Sequence, residues 1–315
     1  MIIGLPMGWT TTDWADLAAA VPGADTHPLY PAVVAYAARG AAIRNDRDRA
    51  RHLVALSQAA QRALGTDHLW VDEAAGIVAA LQFDLDTAAR HAETWLIRAR
   101  ERNDPYEIAH ALSVLATGLR LADVPRAQAA ADEAIHLARQ HGIGSALLYA
   151  LLARTQLPTD PSEALALLDE ATTVAMELGD HYGAARTDGL RGVTAARQGE
   201  WSIALQSFAR VATDKFAIDE TLVLPEASLG TANALAHLGD LETAAVMLSF
   251  AETNFGPAEH SLDEVSTARL TETRQLLKDG LPDIELARLT ARGASLSPHD
   301  VIPLMRRTAG SQQRT

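Results

Sequence analysis

The chain has no cysteine, only two lysines, and an aromatic content of 5% across 315 residues. Without cysteine there is no disulfide scaffold, no thiolate zinc site and no cysteine nucleophile. Lys215 and Lys278 stand in TDK and LLKDG, and neither follows a glycine. The G-K-[ST] core of a phosphate-binding P-loop is therefore missing, as is the V-A-I-K strand of a protein kinase. Positive charge is also short. The 27 Lys+Arg face 40 Asp+Glu, a formal net charge of −13, which argues against a surface built for nucleic acid or anionic lipid. No apolar run is long enough for a membrane span. The opening MIIGLPMGWTTTDW lacks a basic start and breaks at Gly4, Pro6 and Gly8, a poor signal peptide, so a soluble cytoplasmic protein is expected.

What the chain does have is alanine. There are 62 of them, about a fifth of the residues, within an apolar content of 48%. Alanine is the strongest helix former, and β-favouring residues are comparatively few. The composition predicts an all-α protein with enough apolar surface for a substantial core.

The alanines are not evenly spread. Six segments begin with a short polar turn, then an alanine, then a second small or apolar residue four positions on. The marker alanines are Ala50, Ala88, Ala127, Ala164, Ala204 and Ala244, at successive intervals of 38, 39, 37, 40 and 40. The residues four later are Val54, Ala92, Ala131, Leu168, Phe208 and Leu248. This spacing puts each pair on one helix face, where the small residue admits a neighbouring helix and the larger one fills the groove beside it. A second apolar helical pattern precedes each turn, so each unit reads as an antiparallel helix pair with a short connection. Gly65, Gly142, Gly179 and Gly256 are placed as helix C-terminal punctuation. Pro28, Pro105 and Pro161 fall near helix starts. A regular step of this size, repeated six times, predicts a solenoid.

Two stretches carry a resemblance. LGDLETAAVMLSFAE and QGEWSIALQSFARVA resemble the second half of a tetratricopeptide repeat, in which a Gly-Asp/Glu turn precedes a large residue, an alanine and a bulky residue four later. The other units match that pattern less closely, and the step is longer than the usual 34 residues. The C-terminal ELARLTARGASLSPHDVIPLM resembles the closing segment of large bacterial regulators that join a signalling ATPase to a tetratricopeptide-like tail. Some of those regulators add an adenylate/guanylate cyclase domain or a LuxR-type DNA-binding domain. Leu289, Gly293, Ser295 to Ser297 and the Val301–Leu304 helix carry the likeness, while His299–Asp300 depart from it. The opening HPLYPAVVAYAARGAAIRNDRDRARHLVALSQAAQRALG is similar to the start of such a tail. An arginine-rich, lysine-poor composition is expected of a GC-rich genome such as an actinobacterial one. The resemblance implies a sensing or partner-binding role in a transcriptional or signalling regulator. It brings no ATPase, cyclase or DNA-binding parts, because none of their motifs is present.

Candidate chemistry is sparse. Eleven histidines include no H-E-x-x-H pair, and no G-x-S-x-G elbow occurs. Scattered charges such as Arg47–Asp48–Arg49 read as solvated faces. The RARER run, Arg98–Arg102, lies where a helix C-terminus favours cations. Trp9 and Trp14 are placed as an N-terminal cap, Trp201 as core, and Trp70 as a groove residue at the start of a first helix.

The resulting expectation is a tetratricopeptide-like right-handed superhelix of about six helix pairs. Residues 1–26 would form an extension or cap, 27–279 the repeats, and 280–315 closing helices and a tail. First helices would line a concave face, with Arg39, Glu73 and Arg186 pointing inward to bind a protein or peptide. A small-molecule effector also fits that groove. Neither cofactor nor metal, and neither nucleic acid nor membrane, is expected, and no enzymatic activity. Two alternatives stand beside this non-enzymatic interaction module. One is an enzyme on a helical scaffold with an unseen metal or acid/base site. The other is a structural or oligomerisation unit.

Overall fold

A computed structural model describes residues 15–44, 46–211, 223–255 and 264–311. The described residues form a helical turn at 15–19, a 3-10 turn at Ala24–Thr26 and fifteen longer α-helices, with no strand among them. The fold is all-α. It divides into two compact units, residues 1–183 and 184–315, and the division falls inside the stretch read from the sequence as one array.

The first unit holds four helix pairs. They are α1 (Tyr30–Ile43) with α2 (Arg47–Leu64), α3 (Leu69–Leu81) with α4 (Leu85–Glu101), α5 (Pro105–Leu119) with α6 (Val124–His141), and α7 (Gly144–Thr155) with α8 (Pro161–Leu178). Their starts are set by aspartates in the polar turns. Asp46, Asp84, Asp104, Asp123 and Asp160 each accept a hydrogen bond from a backbone N–H in the first turn that follows. Such a cap satisfies a donor that the helix itself cannot. Pro105 and Pro161 occupy first helical positions, where the missing N–H would have had no partner anyway. At the other end, Gly65, Gly142 and Gly179 take left-handed backbone angles (φ 61°, 65° and 64°) that end α2, α6 and α8. Gly256 lies outside the described residues.

The marker alanines are where the helices meet. Ala50, Ala88, Ala127, Ala204 and Ala244 are wholly buried, and Ala164 nearly so. Of the residues four later, Val54 is half-buried and the other five are buried. Each first helix packs on the second helix of its own pair and also on the first helix of the next, α1 on α3, α3 on α5 and α5 on α7. Helices α4 and α5 meet backbone against backbone. A Cβ added at Gly118 would lie 2.7 Å from the backbone nitrogen of Ala89. Stacking of first helix on first helix is the arrangement that gathers side chains from four pairs in one place.

The second unit takes most of α9 (His181–Arg197), then α10 (Trp201–Val211), α11 (Val223–His237), α12 (Leu241–Phe255), α13 (Glu264–Gly280), α14 (Asp283–Ala294) and α15 (Pro298–Ser311). The Phe208 ring lies against Gly192 of α9 and Gly230 of α11, at points where a Cβ on either glycine would collide with it. Helix α11 is buried along nearly its whole length and packs on α10, α12, α13 and α15. Gly293 of α14 lies against the Val246 carbonyl of α12, beside a hydrogen bond from Ser249 Oγ to the Thr290 carbonyl (2.7 Å). Leu289, one of the residues that carry the C-terminal likeness, is buried here. Trp201 is half-buried rather than core. Its indole stacks on the His237 ring at 3.7 Å, because it opens α10 at the surface end of the pair.

Candidate functional site

In the first unit, side chains from all four first helices converge on one guanidinium. Arg39 of α1 donates to Glu73 Oε1 of α3 at 2.5 Å, with both side chains mostly out of solvent. The Arg39 guanidinium also sits over the ring of Tyr36, 5.4 Å from its centroid. Burial pulls its pKa down, but the charge of Glu73 and the phenols of Tyr36, Tyr149 and Tyr106 leave it raised, so the cation is secure. The electrostatic partners of Arg39 thus come from α1, α3, α5 and α7 together.

Helix α5 supplies the densest part. Tyr106, Glu107 and His110 lie within two turns of a helix whose sequence, PYEIAHALSVLATGL, is otherwise almost wholly apolar. Glu107 is buried, and its Oε2 accepts a hydrogen bond from the indole N–H of the fully buried Trp95 (2.7 Å). Burial, then the nearby Glu73 carboxylate, push its pKa up to about 7, against the smaller opposing effect of the indole. His110 shares a hydrogen bond with Ser145 Oγ of α7 (3.1 Å) and packs on Tyr106 with ring centroids 4.5 Å apart. Burial and then Arg39 hold His110 at about 3, so its ring is neutral at physiological pH. Tyr106 is 45% exposed, the open aromatic surface of the group. Burial and Glu73 raise its phenol, which is hydrogen-bonded to Ser145.

The far side is closed by Tyr149 of α7, whose hydroxyl donates to Asp180 Oδ2 (2.9 Å). Burial, then Asp180, raise that phenol well above its usual value. Asp180 also accepts from the Gly183 backbone N–H at 2.8 Å, so it caps α9 while anchoring the tyrosine.

Of the three groove residues expected from the sequence, Arg39 and Glu73 are brought together as a pair. Arg186 is half-buried and belongs to the second unit. Trp70 is 48% exposed at the start of α3, while Trp9 and Trp14 lie outside the described residues. Sequence reasoning missed Tyr106, Glu107, His110, Tyr149 and Asp180. A signal was present for the α5 residues, since an acid and a histidine three apart share a helix face, here in an apolar stretch. The RARER run is not a free basic patch. Arg98 pairs with Asp67 and Asp72, Arg102 with Asp67, and Arg100 with Glu133 at 2.7 Å.

Among the described residues, no three or more His, Asp or Glu side chains gather in a way that could hold a metal ion, and no helix is long and apolar enough to cross a membrane. A crevice elsewhere in the unit is lined by Asp132, His136, Arg139, Arg154 and Glu163, where Arg154 pairs with Asp132 and Glu163, and Arg139 with Glu170 beside it. No family model matches this chain, and no curated protein matches it.

Proposed function

We propose that the protein is a tetratricopeptide-like interaction module whose first-helix face reads a protein or peptide partner. In this reading the helix pairs coil as a right-handed superhelix, and the module serves sensing or partner binding in a bacterial transcriptional or signalling regulator. The observation that carries it is the convergence of Tyr36, Arg39, Glu73, Tyr106, Glu107, Ser145 and Tyr149 from four stacked first helices. Ionisable side chains are expensive to place in a helix-packing layer. A fold that only needed to stack its helices would use alanine and leucine there, as it does at every marker position. Aromatic and charged groups gathered at one face are the ordinary equipment of peptide recognition.

The test is selection of displayed random peptides on the whole chain, followed by competition with a Tyr106→Ala variant. Binders that lose affinity in the variant support the reading. Failure to recover any binder that depends on this face overturns it.

One observation favours a second reading, an enzyme on a helical scaffold. A carboxyl held near 7 is the ionisation that a general acid or base needs. Turnover of a screened hydrolytic substrate that follows a pKa near 7 and disappears in Glu107→Gln would favour it over the binding module.

A further inference from the structure

We infer that the partner group received beside Tyr106, Glu107 and Glu73 is a basic side chain, an arginine or lysine of the bound peptide. The inference rests on the reading of this unit as a peptide-binding module and names what that module recognises. Glu73 lies between the Arg39 guanidinium and Glu107, and the other charged neighbours of Glu107 are Asp104 and, with a smaller effect, Arg102, while His110 is neutral. Arg39 is already committed to Glu73 at 2.5 Å. An acidic ligand would have to displace Glu73 from that pair and then face Glu107 as well.

The carboxylates differ in what they have left to give. Asp180 accepts from both the Tyr149 hydroxyl and the Gly183 N–H, so it has little bonding capacity left. Glu107 uses Oε2 for the Trp95 indole, and Glu73 uses Oε1 for Arg39. The other oxygen of each accepts no hydrogen bond from a described residue, although Glu107 and Glu73 are only 6% and 7% exposed. Neither free oxygen is fully enclosed, since neither is among the wholly buried polar atoms that lack a partner. A buried carboxylate with an open acceptor is costly until a donor reaches it, and a charged donor satisfies it best. Tyr106 adds an exposed ring beside the acids, a surface that attracts a cation through its negative face.

A cation at this place favours the ionised form of Glu107. Binding should therefore release protons near neutrality and strengthen as pH rises through about 7.

The test titrates the whole chain into fluorescein-labelled Gly-Gly-Arg-Gly-Gly and into the same peptide with citrulline in place of arginine, followed by anisotropy at pH 6 and pH 8. Citrulline keeps the shape and removes the charge. The arginine peptide is expected to bind about tenfold or more tightly than its citrulline twin, and several-fold more tightly at pH 8 than at pH 6. Glu107→Gln keeps an oxygen for the Trp95 indole, and its fold is checked by circular dichroism. It should remove the pH response and most of the discrimination. Equal binding of the two peptides, no binding of the arginine peptide, or tighter binding of Gly-Gly-Glu-Gly-Gly overturns the assignment. The display selection separates this outcome from failure of the module itself. Face-dependent binders without basic residues would sink the basic-side-chain assignment and leave the binding module standing.

Discussion

Glu107 on α5 and Asn233 on α11 are both buried polar residues on first helices of their pairs, yet they are satisfied in opposite ways. Asn233 is neutral, and its amide donates to Glu272 Oε2 (3.1 Å) and Thr273 Oγ1 (3.2 Å), both on the covering helix α13. Glu107 is ionisable, has one indole for a partner, and lies within electrostatic reach of a second acid. The difference follows from what each helix packs against. In the second unit α13 and α15 lie on α11; Asn233 is matched to the helix above it, while Ser228 Oγ and Thr231 Oγ1 of α11 are small neutral groups buried without a hydrogen-bond partner among the described residues. In the first unit the first helices stack on one another, and the polar groups meet other polar groups. The buried polar residue compared in the second unit is a neutral amide, whereas the one in the first unit is an ionisable acid, a difference the proposed recognition role would account for.

The comparison can be broken most forcefully in the second unit, at its aromatic wedge. Phe208→Ala removes the ring that fills the space against Gly192 and Gly230. A loss of about 3–5 kcal/mol is expected for an enclosed aromatic. Hydrogen exchange should show the loss in α9 to α11, with α3 to α6 unchanged. An equal effect in both sets of helices would show that the units are not energetically separate.

In the first unit the corresponding test is one of charge. The Glu107 carboxyl has a folded pKa of about 7, above its ordinary value of 4.5. The folded state therefore holds the proton more tightly than the unfolded chain does. The resulting stability is fully present below about pH 4.5 and is lost as pH rises through about 7. Relative to Glu107→Gln, the wild type should lose on the order of 3 kcal/mol between pH 4.5 and pH 8, measured by urea denaturation. A difference that stays flat with pH would mean that Glu107 is as well solvated as a surface acid.

The Arg39–Glu73 pair gives a somewhat smaller effect with a sharper reversal. Glu73→Gln removes the negative charge that Glu73 gives the guanidinium, and about 2–3 kcal/mol of destabilisation is expected, somewhat below the value for a completely enclosed pair. Replacing both partners, Arg39→Met with Glu73→Leu, should restore most of that loss, because well-packed apolar groups substitute for a buried ion pair at little cost. If the double variant is stable but no longer binds peptide, the pair serves recognition. If it stays as unstable as the single variant, the pair is structural, and the contrast between the two units weakens.

The repeats were legible in the sequence because they depend on local chemistry. Asp46, Asp84, Asp123 and Asp160 mark helix starts, glycines at the left-handed positions mark ends, and the alanines between them sit in the packing layer. Each is a one-helix signal that does not depend on knowing the neighbours. Positive-φ Phe83 and Asn103 end turns where no glycine gave notice; asparagine takes that conformation more readily than most residues, whereas a bulky phenylalanine there is unusual. Arg39 and Glu73 were found individually, but their pairing was not, since 34 residues separate them and only the stacking of α1 on α3 brings them together. The same holds for Tyr149 with Asp180, and for Tyr106 and His110 with Ser145. Their meaning arises between helices and leaves no periodic trace in either one. The division at residue 183 was equally silent, because the alanine step continues through it at 40 residues, close to the 37–39 before it.

The smallest expected effect belongs to the exposed faces of the second helices, and it tests whether charge matters by amount or by place. Arg126 pairs with Glu93 and Arg100 with Glu133, each at 2.7 Å, linking α4 to α6. Arg139 meets Glu170 through two hydrogen bonds of 2.6 and 3.1 Å, linking α6 to α8. These pairs are geometrically as good as Arg39–Glu73, and they are more numerous. They are also in water, with Arg139 about half exposed, so solvent and salt screen most of the attraction. Glu170→Gln should therefore change stability by no more than about 0.5 kcal/mol, and 0.5 M salt should erase the change, while Glu73→Gln keeps its effect under the same conditions. Equal responses to salt at the two sites would mean that the first-helix face is as wet as the outer surface, and a carboxylate there would have no reason to hold a proton at neutral pH.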